Sequence, residues 1–238
     1  FDLYGNSIKG NYTPFAEYTK EDFKALNDIE RVRQTDIKKF NALTTVLNKE
    51  SQHKLRTENK GSFEVDGAKV EWDKVSKCVK YTIAKNGINR VFHICSPHIS
   101  EMFFNAGWFE VKIAQILQGW EYAKEVCINC RFPFRHNLDK NEVDIIINTG
   151  NKILFVECKT QINNTTDIDK FRTVIKTYGG TASKGLFITD AKMNDMSRAK
   201  CDEHGILAYS LQDDHLGMDT VKALYWLLET ELFNINPK

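Results

Sequence analysis

Residues 141–160 read NEVDIIINTGNKILFVECKT, and the way this stretch folds decides the rest. Two apolar runs, 142–148 and 152–159, flank Thr149-Gly150-Asn151, the pattern of a β-hairpin whose strands are buried on both faces. Three charged side chains interrupt the runs: Asp144, Glu157 and Lys159. Alternation puts Asp144 on the face of Ile146, and Glu157 and Lys159 on the face of Phe155. With Gly150-Asn151 as a two-residue turn, Thr149 pairs with Lys152 and Asp144 stands directly opposite Glu157. A turn at Thr149-Gly150 shifts the pairing by two positions and keeps all three groups on one face. A three-residue loop without a bulge would separate them.

Two carboxylates about 5 Å apart on a buried sheet repel each other and lose hydration, so they call for a compensating cation. Mg²⁺ or Mn²⁺ suits carboxylate and water oxygens. Asp144 and Glu157 are therefore candidate metal ligands, and the carbonyl of Cys158 between them and Lys159 is a further one. Lys159 is placed to orient or deprotonate a metal-bound water, or to stabilise charge developing on a phosphate. The plain alternative is a solvated strand face carrying an ion pair. Its apolar neighbours Ile146, Ile153 and Phe155 argue against that, because charged groups are seldom buried without a partner.

Upstream, EMFFNAGWFEVKIAQILQ (101–118) has the periodicity of one helix. Glu110 falls in the middle of its apolar stripe of Phe103, Ala106, Ile113, Ala114 and Leu117, where a carboxylate needs a partner or a route to water. Trp108, Phe109 and Trp120 read as core. Downstream, strands near 123–132, 185–189 and 206–210 alternate with helices over 167–178, from Asp190 to about 203, and over 218–232. Thr165, Thr166 or Asp167 caps the first of these helices and Gly179-Gly180 stops it. The pattern predicts an α/β sandwich with a mixed sheet. Residues 1–99 are polar and lysine-rich. They predict a helix near 35–49, a strand at 62–65, a helix at 71–79 and a hairpin over 80–95 turning at Asn86-Gly87. That combination suits a small α+β, winged-helix-like region, with the division at 99/100.

The formal net charge is +1, so any nucleic-acid surface must be local. No apolar run approaches the ~20 residues that span a bilayer, and the N-terminus lacks a signal-peptide pattern. The chain opens at Phe1, as a fragment or processed chain would. Its six cysteines are then expected to be reduced thiols of a cytoplasmic protein. CINC (127–130) lacks a second ligand pair, and on a strand its two thiols would point to opposite faces, against a metal or redox role. Gln161 extends the strand face of Lys159 as a candidate substrate contact. Arg131, Arg135, His136 and Lys140 flank the hairpin as candidate phosphate contacts. His93, His98, His204 and His215 show no ligand spacing.

Asp144, a turn and Glu157-Cys158-Lys159 resemble the PD-(D/E)xK nuclease motif, with NEVD in place of its Pro-Asp part. Members of that superfamily commonly carry a glutamate on the first core helix aimed at the same metal, and the resemblance gives Glu110 that role. NAGWFE, CRFPFRHNLDKNEVDIIINTGNKILFVECKT, KGLFIT and GILAYS resemble the nuclease domain of CRISPR ancillary nucleases of the Can/Card type, over about residues 100–212. The resemblance implies a restriction-endonuclease-like mixed sheet flanked by helices. It also implies metal-dependent cleavage of DNA and/or RNA, single strands included, by a homodimer away from membranes. Cyclic oligoadenylate is the implied activator where a CARF sensor accompanies the nuclease; none is recognisable in residues 1–99. Two alternatives share the fold: a binding module whose chemistry is lost, and a restriction or junction-resolving endonuclease.

Overall fold

The structure is a computed structural model that describes residues 2–3, 6–7, 12–49, 58–104, 107–132, 141–162, 164–215 and 217–235. The chain forms two compact units, Tyr18–Val111, and Phe1–Glu17 together with Lys112–Lys238. No described helix is long and apolar enough to cross a membrane.

The first residues supply β1 (Asp2–Leu3), β2 (Asn6–Ser7), β3 (Thr13–Pro14) and one 3-10 turn, Phe15–Glu17. The unit Tyr18–Val111 then opens with α1 (Lys20–Thr35) and α2 (Ile37–Lys49). Helix α1 goes beyond the elements expected from the sequence. It buries Ala25, Leu26, Ile29 and Val32 at helical spacing, and Asp22 in its first turn accepts from the backbone and hydroxyl of Thr19 at 2.7 and 2.9 Å. A four-stranded antiparallel meander follows: β4 (Lys60–Val65), β5 (Ala68–Asp73), β6 (Cys78–Lys85) and β7 (Ile88–Cys95). The hairpin at Asn86-Gly87 forms as expected, both residues having positive φ (53° and 76°) and Lys85 pairing with Ile88. The helix expected over 71–79 does not form; those residues belong to β5, a turn and β6. Phe40, Tyr81, Phe103 and Trp108 pack ring against ring in this unit's core, at centroid distances of 5.8–6.4 Å.

A second correction is covalent. Cys78 and Cys95 are partners in the β6–β7 register and are joined as a disulfide, so the chain does not carry six reduced thiols. Cys127, Cys130, Cys158 and Cys201 are free and buried. The third concerns the single helix expected over 101–118. It is two helices, α3 (Ile99–Phe104) and α4 (Gly107–Gln118), and the division between the compact units falls inside α4.

The unit containing Lys112–Lys238 is built on a six-stranded mixed sheet in the order β12-β11-β10-β9-β8-β3. Its strands are β8 (Glu125–Phe132), β9 (Asn141–Asn148), β10 (Ile153–Lys159), β11 (Ser183–Thr189) and β12 (Ile206–Ser210), completed by β3. β10, β11 and β12 run parallel, while β3, β8, β9 and β10 pair antiparallel. Helices α5 (Thr166–Tyr178), α6 (Asp195–Glu203) and α7 (Thr220–Phe233) accompany it. On one face Ile146, Phe155 and Phe187 pack with Ile168, Phe171 and Val174 of α5 and Cys201 of α6. The alternate residues Ile145, Ile147, Leu154, Val156, Leu186 and Ile188 are equally buried, as strands covered on both faces require. α6 begins at Asp195 rather than at Asp190, and Asn194 caps it, accepting from the Ser197 amide at 2.8 Å.

Candidate active site

The turn between β9 and β10 sets the register. The Thr149 amide donates to the Lys152 carbonyl at 3.0 Å, Gly150 takes φ 96°, and the Asn148 side chain accepts from the Gly150 amide at 2.8 Å. The strands then pair from Asn148↔Ile153 to Ile145↔Val156, and the next step of that register sets Asp144 opposite Glu157. There the pairing changes character. The Cys158 amide donates to Asp144 Oδ2 at 2.7 Å, so a side chain replaces a ladder carbonyl and anchors the carboxylate. On the other flank, parallel pairing sets Glu157 beside Phe187 and Lys159 beside Thr189. Lys159 Nζ lies 2.5 Å from Glu157 Oε1. Two carboxylates and one ammonium thus share one face of the sheet, the face on which α5 packs.

Burial first, then the charge of Glu157, pushes the Asp144 carboxyl up to about 7. Burial also raises Glu157, with Lys159 opposing. For Lys159, burial disfavours the ammonium, but Glu157 and Asp144 outweigh it and hold the group above the ordinary lysine value. One cation against two carboxylates leaves the pocket short of positive charge. That deficit fits a divalent ion: Mg²⁺ keeps several waters and takes one or two protein carboxylates. Among the described residues, no three His, Cys, Asp or Glu side chains converge as ligands. Asp144 and Glu157 would be the pair, with the Cys158 carbonyl beside them.

The other expected residues are distributed differently. Glu110 lies on α4, half-buried, within the unit Tyr18–Val111, where its charge acts on the phenol of Tyr18. Gln161 is exposed beyond the end of β10 rather than on it. Arg131 on β8 is exposed and ion-paired with its cross-strand partner Glu142 at 3.3 Å. Arg135, His136 and Lys140 lie outside the described residues. Asp167, in the first turn of α5, was not foreseen: its charge reaches both Glu157 and Lys159, as that of Glu142 reaches Asp144. An acid in a helix's first turn is so ordinary that sequence gives no signal of this. Cys127 and Cys130 do not face apart; both join one buried cluster, because Asn129 between them takes φ 55° and breaks the alternation. Burial pushes the Cys127 thiol up to about 12, the behaviour of an inert core thiol.

Against this geometry stand the comparisons with known proteins. The Card1-like endonuclease domain family matches residues 98–221, just over half of the chain. No curated protein sequence matches it. Among solved structures, protein VC1899 from Vibrio cholerae aligns with a TM-score of 0.55 and 14% identity, over 84% of this chain and 58% of that one. Can2 from Sulfobacillus thermosulfidooxidans, solved with cyclic tetra-adenylate, aligns with a TM-score of 0.45 and 22% identity, over 59% and 41%. The chain therefore spans 58% and 41% of those two proteins' lengths. The likeness to VC1899 is one of fold.

Proposed function

Since the chain belongs to the Card1-like endonuclease domain family, we propose that it hydrolyses phosphodiester bonds of DNA and/or RNA with Mg²⁺ or Mn²⁺. The observation that carries the reading is the meeting of Asp144, Glu157 and Lys159 on one sheet face. Asp144 and Glu157 would hold the ion, with the Cys158 carbonyl as a further ligand. When bound, the ion supplies a Lewis acid for the scissile phosphate and lowers the pKa of a coordinated water. Lys159, kept protonated by its two carboxylates, orients the nucleophile and stabilises phosphate charge rather than accepting a proton. Arg131 would contact a phosphate of the nucleic acid and Gln161 the substrate. The wider setting belongs to the same proposal: a cytoplasmic homodimer serving as the effector part of a CRISPR defence protein. Cyclic oligoadenylate would act only where a sensor domain accompanies the nuclease.

The test incubates the chain with plasmid, single-stranded DNA and RNA in Mn²⁺, Mg²⁺ or EDTA. Cleavage is expected with either ion and not in EDTA, and it is expected to vanish in Asp144→Ala and Glu157→Ala. Binding without cleavage under every condition would make the chain an inert module of the same fold. Cleavage confined to one duplex sequence or to junctions would make it a restriction or junction-resolving enzyme.

A further inference from the structure

Among the described residues five other than glycine take positive φ: Asp66, Lys77, Asn86, Asn129 and Asn234. Four of them end an element, since Asp66, Lys77 and Asn86 lie between strands and Asn234 caps α7. Asn129, at φ 55°, lies inside one, in the middle of β8. Left-handed backbone costs any residue with a β-carbon, asparagine among the least, and it persists where the fold has a use for it. A bulge does not account for it. A bulge adds one residue to one strand and shifts the register beyond it. Here Ile128↔Ile145 and Cys130↔Val143 belong to one unbroken register, and the step missing between them is the one that would pair Asn129 with Asp144.

The interruption is felt on both flanks of Asp144. Toward β8, Cys127 and Cys130 stand three residues apart, as do Val143 and Ile146 on β9, yet all four enter one buried cluster. Regular alternation would send the members of each pair to opposite faces. The two strands therefore turn over together about the Asn129–Asp144 step. Toward β10, regular pairing stops after Ile145↔Val156, and the Cys158 amide donates to Asp144 Oδ2 at 2.7 Å. Continued, that register would have set Cys158 opposite Val143. A side chain on a regularly paired strand stands roughly perpendicular to the sheet, out of reach of a neighbouring strand's amide. The Asp144 carboxylate reaches that amide because its own backbone is released from the ladder on the other side.

We infer that Asn129 is a positioning residue for Asp144: its left-handed backbone, not its carboxamide, opens the β8–β9 ladder and lets the carboxylate turn onto the Cys158 amide, oriented for the divalent ion. The service to the ion rests on the proposed reading of Asp144 as a metal ligand; the orientation does not. The test compares wild type with Asn129→Gly, Asn129→Ala and Asn129→Val in the full chain. Glycine takes positive φ freely, alanine at a cost, and a β-branched residue hardly at all. The readouts are hydrogen exchange of single amides in EDTA, by NMR, and Mn²⁺ affinity by calorimetry. Asn129→Gly is expected to match wild type in both. Asn129→Val is expected to speed exchange of the Cys158 amide about tenfold relative to Leu154 and Val156, which share its edge of β10, and to weaken Mn²⁺ binding about tenfold. Asn129→Ala should fall between the two, and Ala against Gly decides the matter if Asn129→Val does not fold. Protection lost evenly along β10 would make Asn129 merely structural and overturn the inference. A loss in Asn129→Gly equal to that in the other variants would give the role to the carboxamide and overturn it too. Faster Cys158 exchange with unchanged Mn²⁺ binding, or no binding by wild type, would sink the metal reading and leave the orienting role standing.

Discussion

Lys159 and Asp144 make opposite demands on the sheet, and substitutions separate them. Lys159→Ala removes a group that does not bind metal, so Mn²⁺ affinity should persist while cleavage falls roughly 10²-fold or more; calorimetry beside a cleavage assay measures both. An unmodified rate would refute the role given to the ammonium. Asp144 carries a pH signature. Its carboxyl ordinarily titrates at 3.8 and here at about 7, so between those values the folded chain holds a proton that the unfolded chain has released. Stability of the metal-free protein should therefore fall as pH rises from about 4 to about 7. Asp144→Asn keeps an acceptor for the Cys158 amide and should melt above wild type at neutral pH in EDTA, the gap closing toward pH 4. At this scale much was legible, because one two-residue turn fixes which carboxylates meet. The contacts of Asp22 with His98 and of Tyr18 with Glu101 were not, since they join residues 76 and 83 positions apart. Nor was the fate of Cys127 and Cys130, which depends on one left-handed asparagine.

Among the elements, strands with long apolar runs and clear turns were readable, and β9 and β10 appear close to where alternation and turn chemistry put them. The failures have local causes. Trp72, Val75 and Val79 recur at i, i+3 and i+7 and so imitate a helix. In the fold Trp72 and Val79 point inward from β5 and β6, while Val75 stands 74% exposed in the turn between them. On the polar face of these strands Glu71 bridges Lys69 and Lys80, each at 3.0 Å, a cross-strand arrangement invisible to periodicity. The stripe over 101–118 likewise hid the break before Gly107. That glycine gives a sharp prediction: Gly107→Ala forces a methyl against the Glu101 carbonyl and should destabilise the fold by about 1–3 kcal/mol in a denaturant melt. A variant as stable as wild type would mean that α3 and α4 do not pack as closely as described.

Taken whole, the molecule is two units whose covalent and functional chemistry lie apart in sequence. The disulfide sits in one, linking Cys78 and Cys95 at a separation of 17 residues, and the hairpin of Asp144 and Glu157 in the other. Alkylation of the denatured, unreduced chain should label four thiols, Cys127, Cys130, Cys158 and Cys201, and reduction should expose two more. Cys78→Ser should cost about 3 kcal/mol in a denaturant melt, on the chain-entropy argument for a loop of this length. Labelling of six thiols without reductant would show the pair to be open in solution. The turn at Gly150-Asn151 has a reach that its size conceals. Side chains change face with every residue, so this turn acts as a phase setting for everything beyond it. Substitution within the loop leaves that phase alone, whereas one inserted residue inverts it unless a bulge absorbs the extra unit, and two restore the parity. The chemistry of this sheet is thus more vulnerable to a change in the length of a solvent-facing loop than to a change in that loop's composition.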